Sequence, residues 1–316
     1  MHKRQLGKTG IEVAPLCFGG NVFGWTIDEK MSFAILDGFR EAGFNFIDTA
    51  DVYSRWVPGN QGGESETIIG KWMKDRKIRN QVVVATKVGM DMGQDKKGLK
   101  AEYIKQAVED SLRRLQTDYI DLYQSHTDDM ETPIEETLAA YDELIKEGKV
   151  RAIGASNFNA NRLKESLHIS AKEKFPSYVT LQPKYNLHDR EYFEKELEAL
   201  CLQNGVGVIP YYSLASGFLT GKYRSKEDAK LSARGEKALS YLDERGLKIL
   251  MALDDISKAH LVKPATIALA WLMQRKCITA PIASATSLEQ LKDLTKAAEI
   301  KLATVEVEKL DFESRY

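Results

Sequence analysis

Short apolar segments alternate along the chain with longer segments in which apolar residues recur at helical spacing. The short segments are apolar throughout rather than at every second position, which is typical of parallel strands covered on both faces. These segments predict eight strands, at residues 15–20, 44–50, 82–88, 119–126, 150–157, 179–185, 206–213 and 278–285.

The intervening segments carry helical signals. Ile104, Val108 and Leu112 would share one face of a helix, and Gly148 is a helix-stop signal. Strand and helix alternate eight times, which predicts an α/β fold of the (β/α)8 TIM barrel type. The predicted helices cover residues 30–42, 64–75, 101–114, 134–147, 161–170, 190–204, 247–260 and 288–298, with an additional helix at 264–275.

Two segments fall outside this repeat. Residues 2–13 predict a hairpin that turns at residues 8–10 and caps the floor of the barrel. Residues 214–245 form a long loop after the seventh strand, rich in Gly, Ser and Lys, and loops of this length are usually functional. We therefore expect one barrel domain over residues 1–316, with an N-terminal hairpin cap and a long loop after strand seven.

Composition and charge exclude several classes of function. Lys and Arg number 45 and Asp and Glu 46, so the net charge of −1 offers no basic excess for nucleic acid or a membrane surface. The three cysteines lie far apart and the five histidines show no metal-ligand spacing, so we expect no metal. The first ten residues are polar and basic, and no apolar segment approaches the ~20 residues that span a bilayer. A cytoplasmic protein is expected.

Polar side chains end several of the predicted strands, where barrel enzymes carry their catalytic groups. Asp48, Lys87 and His126 end the second, third and fourth strands, and Tyr53 follows the second. An ammonium lowers the pKa of a neighbouring phenol, and a carboxylate keeps that ammonium charged. Such a set supplies the proton that carbonyl reduction needs when a cofactor delivers hydride. The other strand-end residues are Gln124, Ser156, Asn157, Gln182, Tyr212 and Ser213.

Each of these residues also has a purely structural interpretation. Asp48 suits a turn, Lys87 suits a solvated strand end, and Trp25 and Trp56 suit ordinary packing. Ser156, with the asparagine that follows it, suits the cap of the next helix. The joint placement of the polar groups, rather than any single residue, favours the catalytic interpretation.

The chain resembles the aldo-keto reductase superfamily over nearly its whole length. The matching segments are LGKTGIEVAPLCFGGNVFG, FNFIDTADVYS, VVVATKVG, SLRRLQTDYIDLYQSH, TPIEETLAAYDELIKEGKVRAIGASNF, LQPKYNL, YYSLASGFLTGKY and, more weakly, PIASATSLEQLKDL. The long loop and the GFLTGKY segment resemble the branch that includes potassium-channel β-subunits and bacterial aldo/keto reductases. The resemblance implies an NAD(P)H-dependent oxidoreductase that reduces aldehydes or ketones to alcohols.

The resemblance also implies roles for individual residues. Tyr53 would donate the proton, Lys87 paired with Asp48 would lower its pKa, and His126 would orient the carbonyl. Trp25 and Trp56 would line the substrate pocket beneath a lid formed by residues 216–245. The nicotinamide end of the cofactor would be held at its carboxamide by Ser156, Asn157 and Gln182, and Tyr212 (with Tyr211 as the other register) would stack on the nicotinamide ring. The residues at the pyrophosphate would be Ser213, Leu214, Ser216, Leu219 and Lys222. Those at the adenosine end would be Ser284, Thr286, Gln290 and Asp293.

The adenosine end departs from the family pattern. Family members commonly carry a basic residue near position 286 or 290, where this chain has Thr286 and Gln290. Arginine is the usual planar match for a phosphate. The resemblance therefore implies NADP(H), and the departure leaves NAD(H) open. Arg224 and Arg234 in the long loop suit either an acidic substrate or a solvated surface.

Several alternatives remain open at this point. Lys87 or Lys184 near a strand end would also suit a Schiff-base aldolase. The branch resemblance allows a cofactor-binding regulator in place of an enzyme. A short-chain dehydrogenase does not fit, because the sequence has neither Tyr-x3-Lys nor GxGxxG. A monomer is favoured for a barrel of this size, with larger assemblies open.

Overall fold

A computed structural model of the protein describes residues 2–93 and 96–316. Seven of the eight parallel strands lie within the predicted segments, and β8 begins one residue before its segment. The strands are β1 (Arg4–Gln5), β2 (Glu12–Val13), β3 (Cys17–Gly19), β4 (Phe46–Asp48), β5 (Val83–Val88), β6 (Leu122–Ser125), β7 (Ile153–Ser156), β8 (Tyr178–Gln182), β9 (Gly207–Val208) and β10 (Ile282–Ala283).

The eight parallel strands close into a ring. They run in the order β10-β3-β4-β5-β6-β7-β8-β9, and Val208 of β9 forms a parallel bridge with Ile278, just before β10. The amide of Thr279 donates to the carbonyl of Val208 at 2.7 Å, and the amide of Ile282 donates to that of Pro210 at 2.9 Å. Because one chain segment pairs with both β3 and β9, the predicted (β/α)8 barrel is confirmed.

All nine predicted helices are present, with differences of a few residues at their ends. The predicted helix at 190–204 contains a π-helical turn at Phe193–Leu197 before α6. The helices are α1 (Glu29–Glu41), α2 (Glu64–Arg76), α3 (Ala101–Leu115), α4 (Ile134–Lys146), α5 (Ala160–Glu173), α6 (Glu198–Asn204), α7 (Gly235–Leu239), α8 (Glu244–His260), α9 (Pro264–Met273), α10 (Leu288–Lys296) and α11 (Thr304–Glu313).

Helix α11 was not predicted from the sequence. Leu310 is its one buried residue, so it lacks the apolar stripe that marks a surface helix. Polar contacts hold it instead: the indole Nε1 of Trp271 donates to Asp311 Oδ1 at 2.9 Å, and Arg190 Nη1 donates to the Asp311 carbonyl at 3.0 Å. The helix therefore depends on partners far away in the chain.

The predicted N-terminal hairpin is confirmed as an antiparallel β1–β2 pair. The guanidinium of Arg4 donates to the carbonyls of Met273 and Ile278 at 2.6 and 2.9 Å. Gly7 has φ +57°, and a Cβ there would lie 2.3 Å from the carbonyl oxygen of Val179, so the close approach to β8 requires glycine. The buried hairpin residues pack into the barrel interior, and they are Leu6, Ile11 and Val13.

The long loop after β9 is folded across the barrel mouth. It contains two short 3-10 segments, Ala215–Thr220 and Lys226–Leu231, followed by α7. The hydroxyls of Tyr223 and Ser232 lie 2.6 Å apart and tie the loop together. Among the residues described, no helix has the length and apolar character to cross a membrane.

Candidate active site

A buried ion pair lies at the base of the barrel mouth. Asp48 ends β4 and Lys87 lies in β5, and both side chains are fully buried. Lys87 Nζ donates to Asp48 Oδ2 at 2.7 Å and to the Thr49 carbonyl at 2.8 Å. A charged pair survives burial only when its geometry and its other hydrogen bonds are good. Here the pair is supported by further donors around the carboxylate.

Two glutamines provide those donors. Gln182 Nε2 at the end of β8 donates to Asp48 Oδ1 at 2.9 Å, and Gln124 Nε2 on β6 donates to the same oxygen at 3.2 Å. Gln182 Nε2 also lies 3.3 Å from Gln124 Oε1. The carboxylate is thus held by two amides as well as by the lysine. The sequence places Gln124 at a strand end without indicating a function for it, and the structure shows that it positions Asp48.

Tyr53 brings its hydroxyl to this pair from the loop after β4. Its oxygen accepts a hydrogen bond from Lys87 Nζ at 2.8 Å and donates to Asp48 Oδ2 at 3.2 Å. The next residue, Ser54, has φ 72°, and its hydroxyl donates to the Phe23 carbonyl at 2.6 Å. This anchored turn fixes the direction of the tyrosine side chain.

The expected direction of the Tyr53 pKa shift is wrong. Burial raises the pKa of Tyr53 well above its ordinary value, and the Asp48 carboxylate raises it further. The phenol therefore keeps its proton at neutral pH. A protonated phenol bonded to an ammonium is still an acid, because the ammonium stabilises the phenolate as the proton leaves.

His126 follows β6 and lines the same cavity. Its ring centroid lies 6.0 Å from that of Tyr53. Burial lowers the pKa of His126 well below its ordinary value, and the charge of Lys87 adds to this. Its Nδ1 is buried without a hydrogen-bond partner among the residues described. The imidazole is therefore neutral at physiological pH.

Ser156 and Asn157 lie beside the histidine at the end of β7. Asn157 Nδ2 donates to the His126 carbonyl at 3.0 Å, and its Oδ1 accepts from the Tyr211 hydroxyl at 2.7 Å. Ser156 Oγ donates to the Gln182 carbonyl at 3.0 Å. The helix cap suggested for these two residues is instead Asn159, whose side chain accepts from the amide of Arg162. Ser156 and Asn157 are thus free of a capping role.

A cavity of about 850 Å³ extends from Tyr53 across the barrel mouth. This volume lies within the range of small-molecule and cofactor sites. Most residues that the resemblance assigned to a cofactor or substrate line it. They are Ser156, Asn157, Gln182, Tyr212, Ser213, Leu214, Ser216, Lys222, Ser284, Thr286, Gln290 and Asp293 on the cofactor side, and Trp56 on the substrate side.

Two predicted residues do not line the cavity. Leu219 is completely buried in the hydrophobic core, because the 3-10 turn at Ala215–Thr220 directs it away from the mouth. Trp25 lies behind Trp56, with ring centroids 5.5 Å apart in an edge-to-face arrangement. The Arg234 guanidinium lies 5.0 Å from the Trp25 ring, so this tryptophan supports the wall from outside.

The structure adds residues that sequence reasoning assigned to no site. Asn21 lies in the 3-10 turn Gly20–Val22 after β3, with its side-chain amide 2.7 Å from Ser284 Oγ. Lys237 contacts the Tyr212 hydroxyl, and Lys263 precedes α9. Asn21 lies in a segment that matches the family and Lys237 in the predicted lid, but neither was given a site function, and Lys263 had no motif around it. Among the lining residues without an earlier role are Asn21, Val22, Thr26, Val52, Met90, Lys237 and Lys263.

Arg234 faces the cavity, which favours a binding function over a solvated surface charge. Arg224 instead pairs with Asp254 at 2.8 Å on the outer side of the loop. Within residues 2–93 and 96–316, no cluster of three His, Cys, Asp or Glu side chains suits a metal ion. The polar groups of the cavity therefore suit an organic ligand with amide and anionic parts.

Comparison with known proteins gives matches over nearly the whole chain. A sequence model described as the Aldo/keto reductase family matches residues 15–312. An uncharacterized oxidoreductase, YrpG of Bacillus subtilis (strain 168), is 38% identical, covering 96% of this chain and 92% of that protein. A probable voltage-gated potassium channel subunit beta of Oryza sativa subsp. japonica is 33% identical, covering 97% and 94%. The aldo-keto reductase AFTS1 of Alternaria alternata is 34% identical, covering 95% and 88%.

Proposed function

The chain belongs to the aldo/keto reductase family, and on that premise we propose that it is an NADP(H)-dependent reductase of aldehydes or ketones. The observation that carries the proposal is the Tyr53 hydroxyl, which faces a large cavity while bonded to a buried, paired lysine. This arrangement is what protonation of a developing alkoxide requires.

Tyr53 is the proton donor in this proposal. Its phenol is protonated at neutral pH, and the Lys87 ammonium 2.8 Å from its oxygen stabilises the phenolate that forms on proton transfer. Asp48 keeps Lys87 oriented and compensates its charge. The proton given to the alkoxide is replaced from solvent after the alcohol leaves.

His126 orients the carbonyl. Because its imidazole is neutral, one ring nitrogen can donate a hydrogen bond to the substrate oxygen without competing as a proton source. The exposed face of Trp56, whose ring centroid lies 6.1 Å from that of Tyr53, supplies an apolar wall for the substrate. This wall suits flat or aromatic carbonyl compounds.

The residues around the cavity fit a nicotinamide cofactor, which supplies the hydride when bound. Gln182 Nε2 donates a hydrogen bond to Asp48. The side-chain carbonyl oxygen of Gln182 therefore stays available to accept a hydrogen bond from a ligand amide. With Ser156 and Asn157 it forms the proposed carboxamide site, next to the ring of Tyr212. Ser213, Leu214, Ser216 and Lys222 are the proposed pyrophosphate contacts, where an ammonium and backbone amides suit an anion.

The test is oxidation of NADPH, with NADH in parallel, by purified protein given an activated benzaldehyde. We expect multiple turnovers by the wild type and loss of most turnover in Tyr53→Phe, with cofactor affinity nearly unchanged. Tyr119→Phe, on a tyrosine outside the cavity and stacked on Arg79, is the matched control and should keep full activity. Full activity in Tyr53→Phe would overturn the assigned acid.

A regulatory function is the second candidate, favoured by the similarity to a channel subunit beta. Cofactor binding with at most one oxidation per protein molecule, on any of several aldehydes, would support it against the reductase. Failure to bind either cofactor would overturn both.

A further inference from the structure

The backbone carbonyl of Thr49, the first residue after β4, is one of the acceptors that hold the Lys87 ammonium. Lys87 Nζ donates to this carbonyl at 2.8 Å. On its other side the residue is fixed to the sheet, because the amide of Thr49 donates to the Ala85 carbonyl of β5 at 2.8 Å. A rotation of the Thr49 peptide would therefore move an acceptor away from the ammonium that contacts the Tyr53 hydroxyl.

A chain of two buried hydroxyls anchors Thr49. Its Oγ1 donates to Ser65 Oγ at 2.8 Å, and Ser65 Oγ donates to the Gly20 carbonyl at 2.8 Å. The direction of the chain is fixed, because a carbonyl only accepts and each hydroxyl has one proton to donate. Thr49 and Ser65 are both fully buried, so neither hydroxyl can exchange its partner for bulk water without opening the structure.

The first turn of α2 supplies the serine of this chain and contacts the strand of the lysine as well. Ser65 packs so closely on Gly20 that a Cβ there would lie 2.8 Å from its Oγ. The next residue, Glu66, accepts a hydrogen bond from the hydroxyl of Thr86, which directly precedes Lys87 in β5. One helical turn thus holds the backbone on both sides of the ammonium.

We propose that Thr49 and Ser65 are positioning residues for proton transfer, whose hydroxyl chain fixes the Thr49 carbonyl and thereby holds the Lys87 ammonium on the Tyr53 oxygen. This inference rests on the proposed function, because it concerns the same reaction. Neither residue lines the cavity, so each acts through Lys87 and touches neither substrate nor cofactor. A stabilising donor works best when it needs no reorientation as charge develops, and the chain provides that restraint.

The experiment measures kcat and KM for an activated benzaldehyde at saturating NADPH, together with the Kd of NADPH. In Thr49→Val and in Ser65→Ala we expect kcat to fall about tenfold, because the ammonium stays but is less well directed. KM and the Kd should change less than about twofold, since the chain acts only as the proton moves. Thr49→Ser keeps the hydroxyl and should restore most of kcat. Ser65→Ala breaks the same chain from the helix side, so the test does not depend on one variant.

Thr137→Val is the matched control. The buried hydroxyl of Thr137 on α4 donates to the Leu99 carbonyl at 2.9 Å, outside the cavity. Its removal costs one buried hydrogen bond, as in Thr49→Val, and should lower the Tm while leaving kcat unchanged.

A double variant tests whether the chain acts through the lysine. If it does, Thr49→Val combined with Lys87→Met should have the kcat of Lys87→Met alone, within about twofold. Two results would overturn the inference while leaving the proposed function intact. One is an unchanged kcat in both Thr49→Val and Ser65→Ala with a lower Tm, as in the control. The other is a tenfold loss that adds to that of Lys87→Met. Absence of turnover by the wild type would instead overturn the proposed function, and the inference with it.

Discussion

The fully buried ammonium of Lys87 donates a hydrogen bond to the phenol oxygen of Tyr53 across 2.8 Å. An ammonium has three N–H donors, and here all three have acceptors: Tyr53, Asp48 Oδ2 and the Thr49 carbonyl. The lysine therefore has little freedom to rotate. The group that stabilises the phenolate is already in place before the proton moves.

Replacing Lys87 by methionine should remove that stabilisation. We expect kcat for aldehyde reduction to fall by about 10²–10³, as when one donor to a developing anion is deleted. The variant also leaves Asp48 buried without its cation, so we expect a loss of about 3 kcal/mol in the free energy of unfolding. Urea denaturation and steady-state kinetics measure the two effects.

Lys184→Met is the control for this prediction. Lys184 lies at a partly exposed site, paired with Asp189 at 2.9 Å. The Lys184→Met variant should keep wild-type kinetics. Treatment with borohydride and substrate should trap no covalent adduct in this variant or in the wild type. Unchanged kcat in Lys87→Met with lower stability alone would make Lys87 structural rather than catalytic.

The pH dependence of reduction should be unusually flat. Burial holds the pKa of Tyr53 above its ordinary value and that of His126 below its ordinary value. Both groups therefore stay in their required forms, protonated phenol and neutral imidazole, from about pH 6 to pH 9. Measured kcat values across this range should be level. An inflection near pH 6.5 that disappears in His126→Gln would contradict the neutral assignment.

Asp51 should make the protein less stable as the pH rises. Burial raises the pKa of Asp51 to about 8, with nearby Glu66 adding to the shift and Arg114 opposing it. An unfolded chain has a value near ~3.9 for this group, so the folded state binds more protons between the two values. Asp51 therefore contributes its full stabilisation at low pH and loses it as the pH rises to about 8. Over that range the free energy of unfolding should fall by up to about 1.4 kcal/mol per pH unit.

Asp51→Asn tests this linkage, because the amide resembles the protonated acid and cannot ionise. Its Tm should exceed that of the wild type by an amount that grows from pH 5 to pH 8 and then levels. Exposed Asp118→Asn should leave the pH dependence of Tm unchanged. Parallel Tm curves for Asp51→Asn and wild type would show that Asp51 is ionised throughout.

Trp56→Ala should weaken the binding of aromatic aldehydes. The indole is about half exposed and packs edge-to-face against Tyr53 and Trp25. Loss of one aromatic contact is worth about 1 kcal/mol, so KM for a benzaldehyde should rise about fivefold. KM for a short aliphatic aldehyde should stay nearly constant, and Trp56→Phe should restore the aromatic substrate. Equal effects on both substrates would place Trp56 in support of the loop rather than in the pocket.

The sequence was sufficient for the barrel because its signals are local. Continuous apolar runs and helix stops such as Gly148 act within a few residues, and they located all eight strands and nine helices. Helix α11 was missed because its stability comes from Trp271 and Arg190, more than 35 positions earlier in the chain. Leu219 was misplaced because a 3-10 turn, and not its motif, decides which way it points.

The sequence predicts the site residues that lie at the ends of the barrel strands. It does not predict those that helices and loops from other parts of the chain bring to the site. Asp48 and Lys87 lie on neighbouring strands and Gln182 lies on β8 across the ring, so the closed barrel brings all three to one mouth. Lys237 lies on α7 and Lys263 directly precedes α9, and the placement of both helices depends on packing. The predicted direction of the Tyr53 pKa shift was wrong because desolvation, which no motif reveals, and the Asp48 carboxylate both raise that pKa.

Closure of the ring has a consequence for folding. Ile282 of β10 pairs with Cys17 of β3, and Ser284 donates a hydrogen bond to the Gly19 carbonyl, so residues near both ends of the chain meet at one seam. Contacts of such sequence separation carry a large loop-closure entropy, which slows their formation. The cavity is bordered by both sides of this seam, so a chain that has not yet closed lacks part of its binding surface. A cofactor bound there would contact both sides of the seam and so stabilise the closed ring. We expect it to slow the opening of the ring and to protect the termini from proteolysis.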